Sequence, residues 1–400
     1  VNSQTVGSAE NRRVGPADHF DLIVVGLGAV GSAAVMHATR AGMRVLGIDR
    51  YDPPHHFGSS HAESRITRLA VGEGPQYMPF VARSHEIWRE IEARTGEQLL
   101  FQPGGYIITP PAETRDSRWG DFVDRTADVA KDASIPFEIR TANQVRDHLP
   151  QVLLQGDEKI GFEPTGGIVM CERAVRIQLD LARSAGAEIL TDTTVTAVEP
   201  TNDGVRVHTA HTHYRGSDVL VSTGAWFPEL APAIDADAVS ITRQTVFWFD
   251  VDDPIDFLVD RFPFIIWPGH TISDYSGVFP MVSGGRPGLK LLGEQFSFAT
   301  TAQTVDRTVH QAEVDDFYER LVEPRLRGVR PTISHAAVCL YTNTTDDHFL
   351  VDHHPRSDHI LLASPCSGHG FKHSTALAEA MVGSLAGHGR TLDLSPFVRR

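Results

Sequence analysis

Four hundred residues with 36 Lys and Arg against 51 Asp and Glu carry a formal net charge of −15. That length is enough for two domains with full cores, and the acidic balance excludes nucleic acid and anionic membrane as expected partners. Three cysteines, Cys171, Cys339 and Cys366, are too few and too scattered for a disulfide framework or a zinc site. No metal is expected, and no stretch approaches the ~20 apolar residues of a membrane span.

Residues 1–18 are polar, with no apolar signal-peptide core, and read as a disordered tail on a cytoplasmic protein. Residues 22–25 (LIVV) then form a short apolar run of the kind that makes a buried parallel strand. Gly26, Gly28 and Gly31 follow in G-x-G-x-x-G spacing, residues 32–42 are small and helical, and 44–48 read as a second strand ending at Asp49. Gly26 permits the tight turn, Gly28 lets backbone approach a pyrophosphate, and Gly31 lets the helix pack closely on the strand. The phosphates would meet free N–H groups at the positive end of that helix. The Asp49 carboxylate would hold ribose hydroxyls and repel a 2′-phosphate. The fingerprint predicts a dinucleotide site without choosing between FAD and NAD.

Residues 76–95 carry apolar positions at helical spacing, and 101–108 alternate towards a strand. Residues 174–185 predict an amphipathic helix closed by Gly186, and 188–198 and 205–213 two strands of a small sheet. Residues 218–221 are a further apolar strand before a glycine turn at Gly224, which returns the chain to the nucleotide fold. Residues 243–250 and 289–296 alternate, and with the aromatic-rich loop 262–279 they suggest a sheet carrying a binding wall. Late strands are expected at 338–341 and 360–363, and a final helix at 371–386, opened by CSGHGFKHS (366–374). Strand and helix patterns alternate without a repeat. They predict an α/β fold, α+β in part: a Rossmann-like nucleotide-binding domain (19–98, 160–235 and 333–400) interleaved with a mixed or antiparallel-sheet substrate domain (99–159 and 236–332).

With these motifs in view, the chain resembles the monomeric sarcosine oxidase and N-methyl-amino-acid oxidase family (N-methyltryptophan oxidase included), flavoenzymes of the D-amino-acid-oxidase fold. The likeness runs from about residue 20 to 397. It is carried by the fingerprint, DPPHHFGSSHAESRITRLAVGEGPQY (52–77), STGAW (222–226), LKLLGE (289–294), CLYTNTTDDHFLVD (339–352) and SGHGFK (367–372). The resemblance implies FAD as cofactor, attached through Cys339 as a thioether to the flavin 8α-methyl. It also implies Lys290 as the lysine that activates dioxygen, Arg65 against the flavin, and His369 near flavin and substrate. Arg68 and Lys372 would hold a substrate carboxylate, and Tyr341 would stand in the substrate pocket.

The chemistry is consistent with those residue types. A planar guanidinium grips a carboxylate at two points and a lysine adds a point charge. Gly368 and Gly370 leave backbone N–H groups accessible at a helix start, where the dipole stabilises developing negative charge. One departure stands out: the resembled oxidases have histidine four residues after the lysine, where this chain has Glu294. On a continuous strand Lys290, Leu292 and Glu294 would share one face, and an acidic group would favour a cationic or hydroxyl-rich substrate. The expectation is a monomer that oxidises an N-methyl or N-alkyl amino acid with dioxygen, releasing hydrogen peroxide. A fructosyl-amino-acid (Amadori product) oxidase and an oxidase of a cyclic imino acid are the alternatives.

Overall fold

The computed structural model describes residues 18–111, 121–231, 238–387 and 392–399; apart from Asp18, the expected N-terminal tail lies outside them. Five parallel strands form the first sheet, in the order Glu188–Leu190, Val45–Ile48, His19–Val25, His213–Val221 and Ser357–Ser364. Leu350–His354 adds an antiparallel edge. The order in which strands are added reverses between His19–Val25 and His213–Val221, so the crevice beyond their carboxyl ends is the place where such a sheet receives a ligand. The Gly26 turn sits there. Val45–Ile48 is buried throughout, which matches its uninterrupted apolar run.

One face of this sheet is covered by helices Ala29–Arg40, Cys171–Ser184 and Ser374–Leu385. Ala29–Arg40 is buried from Val30 to Ala38, and its glycine and alanines let neighbouring helices come close. The other face is covered by an antiparallel ribbon, Val195–Thr201 with Gly204–Thr209, that continues the base of His213–Val221. The single strand expected over 188–198 is therefore two. Asp192 takes φ 51°, and the chain leaves the parallel sheet at Leu190 before it enters the ribbon at Val195.

The second sheet runs Ala299–Thr300, Val239–Val251, Leu289–Leu292, Ser276–Phe279, Phe264–Trp267, Gly105–Thr109, Lys159–Glu163 and Glu138–Arg140. All its neighbours are antiparallel except Phe264–Trp267 with Gly105–Thr109. Val329–Thr344 pairs with Val239–Val251 nearly end to end, so a division at residue 333 would fall inside one strand, and Lys159–Glu163 likewise straddles residue 160. The aromatic stretch 262–279 is not a plain loop, since it contains two buried strands. Phe247, Phe249, Phe257, Phe262 and Phe317 fill the core on one side.

The other side is set by register. Residues directly opposite in an antiparallel pair share a face. Lys290 lies opposite Trp248, Cys339 opposite Gln244 and Tyr341 opposite Thr242. Because 242, 244 and 248 alternate along one strand, Lys290, Cys339 and Tyr341 all point to the same side. A three-stranded sheet of Ser64–Thr67, Gly167–Met170 and Leu100–Phe101 brings Arg65 against them.

Candidate active site

Two cavities meet end to end. The first is lined by Gly26, Gly28, Asp49, Tyr51, His55 and Trp226. The second, the roomier of the two, is lined by Arg65, Arg68, Glu294, Tyr341, Gly368, His369, Gly370 and Lys372. Ser59, Ser60 and Gly224 border both, so together they form one trough past the glycine turn.

At the nucleotide end two of the three glycines, Gly26 and Gly31, are sterically required. Gly26 has φ 86°, and a Cβ there would lie 2.7 Å from the Ser222 carbonyl oxygen; at Gly31 it would lie 1.8 Å from that of Gly26. Both obstacles are backbone and cannot rotate away. Gly31→Ala is therefore expected to cost at least about 1–3 kcal/mol of stability, read as a lowered midpoint in urea unfolding and reduced flavin content on purification. An unchanged midpoint would mean that the helix can shift to admit a methyl group. Asp49 accepts hydrogen bonds from the N–H of Leu27 (2.7 Å) and of Tyr51 (2.9 Å). It thus pins the glycine turn to the turn after the second strand while still lining the cavity.

Behind the trough lies a buried polar cluster. The Cys339 thiol is 3.4 Å from His61 Nε2, and Arg65 spans two sulfurs, Nη2 to Cys339 at 3.8 Å and Nη1 to Cys171 at 3.9 Å. Burial raises the Cys339 pKa, but His61, then Arg65 and Lys290, outweigh it and bring the thiol down to about 7. The same burial raises Cys171, which donates to Glu172 at 3.1 Å. Lys290 donates to the Ser64 carbonyl and stands 3.9 Å over the Phe279 ring. Burial, then Arg65, lowers its ammonium to about 7.

At the far end Arg68 and Lys372 converge on one carboxylate, that of Glu73, at 2.5 Å and 3.3 Å. Burial disfavours a charged Glu73, yet Arg68, Lys372 and His369 hold it well below the usual carboxylate range. Burial and Arg68 lower Lys372 to about 8. His369 stacks on Phe349 and is lowered to about 4 by burial and then Lys372, so it is neutral at ordinary pH. Its Nε2 is 3.2 Å from the Asp347 carbonyl, and its buried Nδ1 has no protein partner. Tyr341 lies 3.4 Å from Glu294 Oε1. Gly368 (φ 79°) admits both, since a Cβ there would meet the Tyr341 ring at 2.9 Å. At Gly370 a Cβ would lie 1.8 Å from the Pro365 carbonyl oxygen, so the entry to the last helix also depends on glycine.

Glu294 reaches the trough by a route other than the expected one. The strand stops at Leu292, before Gly293. Gln244 takes over the pairing: its side chain accepts from the Gln295 N–H (3.0 Å) and donates to the Gln295 carbonyl (2.6 Å). Sequence reasoning also passed over four residues that the fold brings in, His61, Glu73, Glu63 and His373. His373 gives His369 an H-x-x-x-H spacing, but among the described residues no group of three His, Cys, Asp or Glu could hold a metal.

A dinucleotide turn opening into a trough that ends in paired cations fits an oxidoreductase with a dinucleotide cofactor. Residues 21–383 match the family described as FAD dependent oxidoreductase, DAO. The chain is 35% identical to the monomeric sarcosine oxidase of Streptomyces avermitilis over 381 residues, covering 93% of this chain and 94% of that one. It is 32% identical to the N-methyl-L-tryptophan oxidase of Escherichia coli, covering 94% and 98%. The chain belongs to the DAO family of FAD dependent oxidoreductases, and it is a flavin amine oxidase acting on CH–NH groups with oxygen as acceptor. The fold is shared with NikD, an unusual amino acid oxidase (TM-score 0.83, 20% identity, 96% and 98% covered), and with Amadoriase I of Aspergillus fumigatus (0.74, 16%, 96% and 90%).

FAD fits the residues present. The backbone contacts at Gly26 and Gly31 fix a tight turn at the edge of the first cavity, and the trough continues from there past Ser59 and Ser60. Gly26, Gly28 and Asp49, in a turn that Gly31 makes possible, would hold the nucleotide, and Arg65, Gly368 and Gly370 would meet the ring, with Cys339 buried beside Arg65.

Proposed function

We propose that the enzyme oxidises a secondary α-amino acid, an N-methyl or other N-alkyl derivative, to the imine. Water then releases the primary amino acid and an aldehyde, and dioxygen leaves as hydrogen peroxide. For an N-methyl substrate the balance is R–NH–CH₃ + O₂ + H₂O → R–NH₂ + HCHO + H₂O₂. The observation that carries this reading is the convergence of Arg68 and Lys372 on a single carboxylate in the trough. That pair is built to bind one such group, and Lys372 lies on the same turn as His369.

FAD, when bound, supplies a ring that takes a hydride equivalent from the C–H beside nitrogen and passes two electrons to dioxygen. Arg68 and Lys372 orient the substrate by its carboxylate. Ile266, Phe279 and Leu292 line the same trough and exclude water. His369, donating from Nε2 to Asp347, keeps Nδ1 as an acceptor for the amine N–H and stays neutral. Lys290 places a cation behind the ring. Monomeric state and cytoplasmic location belong to the same proposal; no helix among the described residues is long and apolar enough to cross a membrane.

The cofactor is proposed to be bound covalently through Cys339. Its neighbours His61, Arg65 and Lys290 favour the thiolate, the nucleophilic form. Thioether formation at the 8α-methyl would remove two hydrogens, for which dioxygen would be the final acceptor. Acid-precipitated protein should remain yellow, and a tryptic peptide containing Cys339 should carry the flavin mass. Complete release of flavin to the supernatant would exclude the attachment.

Glu294 favours a second reading, a fructosyl-amino-acid substrate whose hydroxyls would donate to its carboxylate beside Tyr341. A peroxide-release screen over N-methyl, cyclic and fructosyl amino acids separates the two. Turnover of fructosyl substrates alone would displace the N-methyl class, and no peroxide from any of them would overturn both.

A further inference from the structure

Glu63 stands where the two sides of the site meet, and no role described above uses it. Ala62 (φ 70°) and Glu63 (φ 73°) are consecutive non-glycine residues in the left-handed region, a conformation that persists where surrounding structure over-determines it. They separate His61, beside the Cys339 thiol, from Arg65. Four hydrogen bonds hold the turn. The Glu63 N–H donates to the Glu172 carboxylate (2.9 Å), and its carbonyl accepts from the Cys171 N–H (2.9 Å). Its side chain accepts from Trp248 Nε1 (3.0 Å) and from the Arg286 N–H (2.8 Å). Gly285 lets that loop approach, since a Cβ there would lie 2.4 Å from Glu63 Oε1. Trp248 is fully buried and lies directly opposite Lys290, whose ammonium donates to the Ser64 carbonyl. The contacts close a circuit from Glu63 through Trp248 and Lys290 back to Ser64.

We propose that Glu63 is a positioning residue that clamps the turn between His61 and Arg65 to the second sheet, and so holds Lys290 beside Arg65 and Cys339. This rests on Lys290 acting in the dioxygen half-reaction. Four charged or titratable groups face Lys290 besides its burial: Arg65 disfavours its ammonium, whereas Cys171, Cys339 and Glu63 favour it. Loss of the Glu63 charge therefore lets Lys290 give up its proton at lower pH.

The test uses the holoenzyme and stopped-flow kinetics of the two half-reactions. Glu63→Gln keeps the size but leaves one donor, Trp248 Nε1 or the Arg286 N–H, facing an amide NH₂. It is expected to slow the dioxygen half-reaction roughly tenfold, in keeping with one charged hydrogen bond, and to move its pH midpoint down. Binding of a carboxylate inhibitor, which depends on Arg68 and Lys372, should hold. Trp248→Phe should act in the same direction, and the double variant should lose less than the product of the two, as members of one network do. Native dioxygen kinetics in both variants, or parallel losses in inhibitor binding and melting temperature, would overturn the proposal. Should Glu63→Gln not fold, Trp248→Phe decides alone. Lys290→Met separates the layers: if it reacts normally with dioxygen, the premise and the proposal both fall. If it is slow while the Glu63 and Trp248 variants are native, the proposal alone falls.

Discussion

Lys290→Met is expected to slow the half-reaction with dioxygen about a hundred- to a thousand-fold while anaerobic reduction by substrate stays near the native rate. A pre-organised electrostatic group in a dry site contributes on the order of 2.7–4 kcal/mol to a barrier, because it need not reorganise as charge develops. Lys290 has that setting: it is 2% exposed and fixed by Ser64 and the Phe279 ring. Its role also has a pH signature. Burial and Arg65 bring the ammonium to about 7, so the cation is present below that value and lost as pH rises through it. The native dioxygen half-reaction should therefore slow above about pH 7, and the methionine variant should show no such step. Equal slowing of both half-reactions would make Lys290 a structural residue.

Arg68→Ala should weaken binding of substrate and of carboxylate inhibitors roughly ten- to a hundred-fold, the ~1.5–3 kcal/mol of a hydrogen bond to a charged group. Arg68 is 2% exposed, so its guanidinium is screened little by water. The carboxylate it now holds is Glu73, shared with Lys372, and an incoming carboxylate must displace that internal one. Glu73→Gln should accordingly tighten inhibitor binding in the same titration. Lys372 loses its proton near pH 8, so affinity should fall as pH climbs through that region. An amine lacking the carboxylate should be a poor substrate for the native enzyme and nearly indifferent to Arg68→Ala. If it is turned over as well as the amino acid, the clamp is wrong and the amino-acid class falls with it.

The parts of the molecule legible in the chain are those whose cause is local. The nucleotide turn needs glycine at 26 and 31 because backbone atoms a few residues away, or on the adjacent strand, leave no room for a Cβ. The spacing records that need directly. Helices Ala29–Arg40, Met78–Thr95 and Cys171–Ser184 lie close to where small-residue content, apolar spacing and, for the last, the closing Gly186 predicted them, since these patterns are properties of one segment. Where a break depends on a neighbour, the pattern misleads. Residues 188–198 alternate as one strand, yet Glu188–Leu190 belongs to Val45–Ile48 and Val195–Thr201 to Gly204–Thr209.

The chemistry divides the same way. Family motifs in the sequence named Arg65, Arg68, Lys290, Cys339, Tyr341, His369 and Lys372; sheet register with helix entry brings Arg65, Arg68, Tyr341, His369 and Lys372 to one trough and packs Lys290 and Cys339 behind it. The sequence by itself determined the Rossmann turn, the presence of a dinucleotide end, and which residue types the site carries. Only the tertiary structure decided that His61 lowers the Cys339 thiol, that Glu73 occupies the cation pair, and that Glu294 arrives through Gln244 and not along its own strand. Each of those joins residues distant in the chain. A pKa or an ion pair is set by burial and by the charge a few ångströms away, and neither is written in the order of the residues.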